Sequence, residues 1–263
     1  LYWRADGLPV WQNPDLIAPE GQDQSPTPLQ AQDLLREIAA ELALPEENIL
    51  PAYEDPAEWL VREAKLPTNV TPDNSELEDA EARHRIARVF DRGLTKPVSF
   101  VLPVQPWQSR GRRTWLSERW RLRRGKMFLV PGDSPAGYRL PLSSLPHLTP
   151  AQYPYVNPTD PTVERPPLPE PSAIEPSRKS LPMASFVADA PSQERVAQTI
   201  TEVEGVVRTA ISVEPRDGRL NVLMPPVPTL EDYLDLLAAA EAAALRLGLK
   251  VHIEGYQPPT TRG

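Results

Sequence analysis

Apolar and polar positions along this chain follow two periods, one near 3.6 residues and one near 2, and they separate its helices from its strands. Leu34, Leu35, Ile38 and Leu42 recur at helical spacing. Ahead of them, Thr27 as N-cap, Pro28 at the first helical position and Gln30 three residues on make a capping box. The pattern predicts a helix that stops before Leu44-Pro45. Asp55-Pro56-Ala57-Glu58 opens a second helix towards Trp59, Leu60 and Val61, and a Ser75/Glu78 capping box opens a third, closed by Gly93. In that third helix Leu77, Ile86, Val89 and Phe90 face inward, and Arg83, His84, Arg85 and Arg88 form a solvated face. Val196, Ile200 and Val203 mark a weaker helical pattern. A last helix carries Leu230, Tyr233, Leu234, Leu237, Ala240, Ala244 and Leu247 between a Thr229/Asp232 cap and Gly248.

The period of two predicts the strands. Leu1-Tyr2-Trp3 and Val10-Trp11 flank Ala5-Asp6-Gly7 as in a small hairpin, with Trp3 and Trp11 in the core. Val98, Phe100, Leu102 and Val104 alternate, and Pro97, Pro103 and Pro106 push that strand to an edge or exit of a sheet. Trp115 to Leu142 reads as two strands around Arg123-Arg124-Gly125, a turn at Pro131 to Pro135 and a short strand through Arg139. Val206 to Val213 and Arg219 to Met224 make a hairpin around a turn at Glu214 to Gly218, and Lys250 to Tyr256 is the final strand. Together these elements predict an α+β fold, a mainly antiparallel sheet with helices on one face.

Composition divides the chain. Of its 34 prolines, twelve lie between Pro146 and Pro191 among few large apolar residues, which predicts an extended linker at 147–191 between a first part, 1–146, and a hairpin-helix-strand unit, 192–263. An apolar fraction of 40% suffices for a core in the flanking parts. The absence of cysteine excludes disulfides, thiolate metal sites and a cysteine nucleophile. A formal net charge of −8 counts against nucleic acid as the partner of the whole chain. No apolar run approaches the roughly 20 residues that span a bilayer, and no signal-peptide pattern opens the chain, so the cytoplasm is the expected compartment. Residue 1 is Leu1 and the last strand-like run lies close to Gly263, so a fragment of a longer protein is expected.

Against the acidic whole, basic residues cluster. Arg110, Arg112, Arg113, Arg119, Arg121, Arg123, Arg124 and Lys126 surround Trp107, Trp115 and Trp120, with Glu118 as the one acid from Trp115 to Lys126. Strand alternation puts Arg119, Arg121 and Arg123 on one face and Glu118, Trp120 and Leu122 on the other. Guanidinium forks match phosphate oxygens, so this face takes either a phosphate-rich ligand or acidic side chains from elsewhere in the fold. The glycines of Pro131-Gly132-Asp133-Ser134-Pro135-Ala136-Gly137 allow an anion close backbone approach, although no Walker Gly-Lys-Ser/Thr follows. His252 and Glu254, two apart on a strand, share a face and suit one metal ion or a structural pair. Glu54 and Asp55 form a carboxylate pair that suits a cation or amine, with helix capping as a sufficient role for Asp55.

Several of these stretches in order resemble a known set: Tyr53-Glu54-Asp55-Pro56, Ser117-Glu118-Arg119-Trp120 to Arg124-Gly125, Pro131 to Pro135 through Arg139-Leu140-Pro141-Leu142, Val213 to Arg219, and Val251-His252-Ile253-Glu254-Gly255-Tyr256. They resemble the large bacterial proteins that join an N-terminal transglutaminase-like domain to a C-terminal amidoligase region. The resemblance implies part of a glutamine synthetase-like, carboxylate-amine ligase fold. Its implied reaction is ATP- and Mg²⁺-dependent activation of a carboxylate to an acyl phosphate, followed by attack of an amine. It implies small-molecule or peptide carboxylate and amine substrates, and a transglutaminase-like domain in the parent chain. It makes Arg123, Arg124 and Arg139 the phosphate candidates and Glu118, His252 and Glu254 the metal candidates. It also implies that further glutamate motifs lie outside this piece, which alone would then be inactive. The rival readings are a noncatalytic polyanion-binding module that stacks bases on Trp115 and Trp120, and a structural spacer.

Overall fold

The computed structural model describes residues 11–54, 96–109, 112–122, 125–131, 138–147 and 206–259. The predicted N-terminal hairpin, the helices after Asp55, Ser75 and Ser192, the turn at 132–137 and nearly all of the proline linker lie outside them. Nine strands and two α-helices occupy the described residues. Seven strands form one sheet: β1 (Leu50–Glu54), β2 (Ser99–Pro103), β5 (Met127–Pro131), β6 (Tyr138–Arg139), β7 (Ala210–Arg216), β8 (Arg219–Met224) and β9 (Val251–Gly255), in the order β6-β5-β1-β2-β7-β8-β9. Strands β3 (Gln105–Ser109) and β4 (Arg112–Leu116) form a separate two-stranded sheet. Pairing in the large sheet is antiparallel except at β1/β5 and β8/β9. The fold is thus α+β with a mainly antiparallel sheet.

Helix α1 (Pro28–Glu41) starts with the full capping box: Thr27 Oγ1 accepts from Gln30 N, and Gln30 Oε1 accepts from Thr27 N. Its Leu34, Leu35 and Ile38 are fully buried, each contributing about 1.5–3 kcal/mol by leaving water. Helix α2 (Leu230–Leu247) has Thr229 as N-cap and Gly248 in the left-handed region at its C-cap, with φ 64°. Both helices pack in one core with Phe100, Leu102, Ile211, Val213, Leu220, Val222 and Val251, which all project from the same side of the sheet. A second, smaller core lies on the opposite side around Ala52, Val101, Trp120, Met127, Leu129 and Ala210.

Three local expectations are corrected. β2 is central rather than an edge strand, flanked by β1 and β7 with all five residues buried. Pro103 is its last residue and Pro97 precedes it, so neither removes a donor from the middle of the ladder. Ser117 to Leu122 is not a strand, although Arg119 and Arg121 do face solvent while Trp120 is buried. The turn between β7 and β8 is only Asp217-Gly218, whose φ of 52° and 73° fit the two-residue hairpin geometry that matches strand twist. Glu214, Pro215 and Arg216 therefore belong to β7, a change that decides what its far end presents.

Candidate functional site

Cross-strand partners in a sheet project to the same side, and so do residues two apart along a strand. Asn221 is the partner of both Glu214 and His252, Leu223 is the partner of both Ser212 and Glu254, and Arg216 faces Arg219. Ser212 in turn meets Val101, and Ala52 meets Ser99. Glu54, Ser99, Glu214, Arg216, Arg219, Asn221, His252 and Glu254 consequently share the face opposite α1 and α2. Beside the apolar patch around Trp120, this face is polar.

Burial makes the patch unusual. Among the described residues the buried polar or charged side chains are Asn48, Glu54, Ser99, Glu214, Asn221 and Asp232. Asn48 donates to Ser117 Oγ at 3.0 Å, and Asp232 accepts from the Thr229 hydroxyl at 2.6 Å, so both serve local structure. The other four stand on the one sheet face. Removing a carboxylate or amide from water costs several kcal/mol unless partners compensate, so these side chains need partners that an apolar face would not. Asn221 Nδ2 donates to the backbone carbonyls of Arg216 at 3.0 Å and Arg219 at 3.2 Å. Its Oδ1 is buried with no hydrogen-bond partner.

Charges interlock around that row. Arg216 forms an ion pair with Glu254 Oε2, and its Nε lies 3.9 Å from Glu214 Oε1. His252 Nε2 lies 3.3 Å from the other oxygen of Glu254. Burial, reinforced by repulsion from Arg219 and Arg216, holds the His252 pKa below its ordinary value, while Glu254 and Glu20 pull the other way. The imidazole is therefore neutral near pH 7 and keeps a lone pair for a proton or a metal.

The metal candidates do not all meet. His252 and Glu254 are neighbours on β9, whereas Glu118 Oε2 accepts from Val207 N at 3.2 Å, ahead of the start of β7. Among the described residues no group of three or more His, Asp and Glu side chains is arranged to hold a metal ion. Arg123 and Arg124 lie outside the described residues. Arg139 is placed by its backbone in β6, opposite Val130. β6 and β9 are the two edges of the sheet, six strand spacings apart, or roughly 29 Å. Arg139 and Glu254 therefore stand at opposite rims.

Trp115 and Trp120 are structural. Trp115 is buried and donates to Asp235 of α2, and Trp120 is buried and donates to the Val207 carbonyl at 2.8 Å. With their faces packed and their N–H groups used, neither is a stacking surface, which removes that support for the polyanion reading. Sequence reasoning passed over Glu214, Arg216, Arg219 and Asn221. The signal was present: Asp217-Gly218 is the strongest short hairpin motif, and centring the turn there puts Glu214 and Arg216 on one face. Glu54 was noticed only as a neighbour of Asp55, although its place two residues after Ala52 puts it on the same side.

The sheet thus has a helix-packed apolar side and a partly buried side of carboxylate, amide and guanidinium groups. Residues 1–262 match the family described as "Putative amidoligase enzyme (DUF2126)", and the chain belongs to that family. No curated protein and no solved structure matches it. Among the described residues no helix is long and apolar enough to cross a membrane.

Proposed function

We propose that the chain forms part of an ATP- and Mg²⁺-dependent amidoligase of the glutamine synthetase-like, carboxylate-amine ligase type, and that the polar sheet face is its phosphate and metal side. The observation that carries this reading is the shared face of buried Glu54, Glu214 and Asn221 with Arg216, Arg219 and Glu254. ATP would supply the phosphoryl group that turns a carboxylate into an acyl phosphate. Mg²⁺ is commonly held by one or two carboxylates completed by phosphate oxygens and water, so it needs no preformed cage of three side chains. Glu214, Glu254, Glu54 and the free Asn221 Oδ1 are hard oxygen donors of the kind it takes, with His252 beside Glu254. Glu118, which accepts from Val207 N, is a metal candidate apart from that set.

Arg216 and Arg219 join Arg123, Arg124 and Arg139 as candidates to offset the charge of the transferred phosphoryl group. Those on β7 and β8 share the carboxylate face directly. Arg139 stands at the other rim, at a register position out of phase with Met127 and Leu129 of the polar side, so it is the candidate the sheet register supports least. The amine and carboxylate substrates are small molecules or peptides in this reading, and the parent chain carries a transglutaminase-like domain.

The test is ATP-dependent hydroxamate formation from hydroxylamine with acetate, succinate or L-glutamate as the carboxylate, run beside calorimetric titration of ATP and Mg²⁺. Wild-type protein binds Mg²⁺-ATP, and Glu214→Gln with Arg216→Ala abolishes that binding. Unchanged nucleotide binding in the double variant would overturn the assignment.

A further inference from the structure

Around the outer edge of β9 runs a cleft of about 570 Å³, within the usual size range of small-molecule sites. Its wall is apolar, with Trp11, Ile17, Tyr233, Leu237 and Ile253. The wall is also held in place. Glu241 Oε1 of α2 accepts from Gln12 N at 2.9 Å and Asn13 N at 2.6 Å, and Trp11 Nε1 donates to the Asn13 carbonyl at 2.7 Å. On the other flank, Ala18 N donates to the Val251 carbonyl at 2.8 Å, fixing the segment that ends in Glu20 along the strand edge.

Charge distinguishes one end. The lining holds two carboxylates, Glu20 and Glu254, and no Lys or Arg; Glu254 is already ion-paired with Arg216, so Glu20 is the carboxylate an occupant would meet. Glu254 and His252 belong both to this cleft and to the polar sheet face, so the cleft opens onto the phosphate and metal side through those two residues. An occupant is thus surrounded by aromatic and aliphatic carbon along its body and meets the exposed Glu20 carboxylate near its head.

We infer that this cleft binds the amine substrate, a primary amine with an aromatic or branched aliphatic body, with its ammonium group beside Glu20 and its nitrogen directed past Glu254 to the polar face. The inference rests on the ligase reading and gives one of its two substrates a chemical class. An anionic or strongly hydrophilic amine such as a diacid amino acid does not suit the apolar wall or the two carboxylates. In the reaction, the bound ammonium first gives one proton to solvent, and the freed nitrogen lone pair forms the C–N bond to the activated acyl carbon. Phosphate departs with the electrons of the broken C–O bond, and the surplus proton leaves the nitrogen for solvent.

Binding of 2-phenylethylamine to the protein without ATP, followed by saturation-transfer NMR, tests the site apart from turnover. The amine should bind at least fivefold more tightly than the isosteric neutral 2-phenylethanol, and Glu20→Gln should remove about fivefold of that, the scale of one partly exposed ion pair. Ile253→Glu, which puts a charge into the wall, should weaken both ligands. Equal binding of amine and alcohol, or an amine affinity untouched by both variants, overturns the inference. Adding ATP, Mg²⁺, succinate and hydroxylamine separates the two ideas. Hydroxamate formation in a protein that fails the amine-binding test sinks the cleft and leaves the ligase. Glu20-dependent amine binding with no ATP-dependent product supports the cleft as an amine site and sinks the ligase reading.

Discussion

The two sides of the large sheet are made by the same strands and obey opposite rules. On one side Phe100, Leu102, Ile211, Val213, Leu220 and Val222 meet α1 and α2, and the contact is carbon on carbon. On the other, residues one step along those same strands, among them Ser99, Glu214 and Asn221, are buried as well but polar. Burying apolar surface stabilises, and burying carboxylates and amides does so only when geometry supplies partners. The helix side therefore carries the apolar burial that stabilises the sheet, and the polar side is where the proposed ligand chemistry would stand.

The sharpest way to break that contrast is to empty the helix side. Leu236 is fully buried in α2, and Leu236→Ala should destabilise by about 2–5 kcal/mol in urea unfolding, because it loses transfer energy and leaves a cavity. A loss below about 1 kcal/mol would mean that the helix core is not the principal source of stability.

Next comes the rim strand that both sides share. Gly255 has φ 95°, and a Cβ there would stand 2.5 Å from the Met224 carbonyl oxygen and 2.6 Å from its nitrogen. Gly255→Ala should cost about 1–3 kcal/mol and, by prying β9 from β8, raise hydrogen exchange in β9 more than in α1. A uniform rise across the protein would show that the rim has no separate behaviour.

The polar side should give the reverse result. Glu214→Leu leaves Arg216 with its closer partner, Glu254, so stability should change by no more than about 1 kcal/mol, in either direction, while any Mg²⁺-ATP binding is lost. A cost equal to that of Leu236→Ala would make the polar face a structural network and erase the comparison.

The smallest effect is a pH dependence. The folded chain holds His252 below its ordinary value of 6.5, so the unfolded chain takes up the proton first as pH falls. Stability is then undiminished above 6.5 and declines as pH drops from there towards the folded value. His252→Asn should flatten that part of the stability curve. An identical slope in the variant would show that the imidazole does not report on its surroundings.

How much of this was legible beforehand differs between the same two sides. The helix side was read well, since Thr27, Pro28 and Gln30 announce α1, Thr229 and Gly248 bracket α2, and Leu34, Ile38, Tyr233 and Leu237 are core residues as their spacing demands. The polar side was read in part. His252 and Glu254 share one face as their spacing predicts, but Glu214 and Arg216 lie in β7 although Pro215 and Asp217-Gly218 look in sequence like one continuous breaker. Trp120 was placed on the opposite side from Arg119 and Arg121, as the structure has it, but the stretch holding them is not a strand.

The amino-acid sequence by itself determined the described helices, their caps, the β7–β8 hairpin and the inward sides of the elements, because each depends on residues within a few positions of one another. It also carried the family, through motifs spread along nearly the whole chain. Only the tertiary structure decided that β7 pairs with β2, more than a hundred residues earlier, that β9 runs parallel to β8, and that Glu54, Glu214, Asn221 and Glu254 share one face. Strand order and register are set by which distant apolar faces are buried together, and a shift of one residue would turn every side chain to the other side. No local pattern contains that choice.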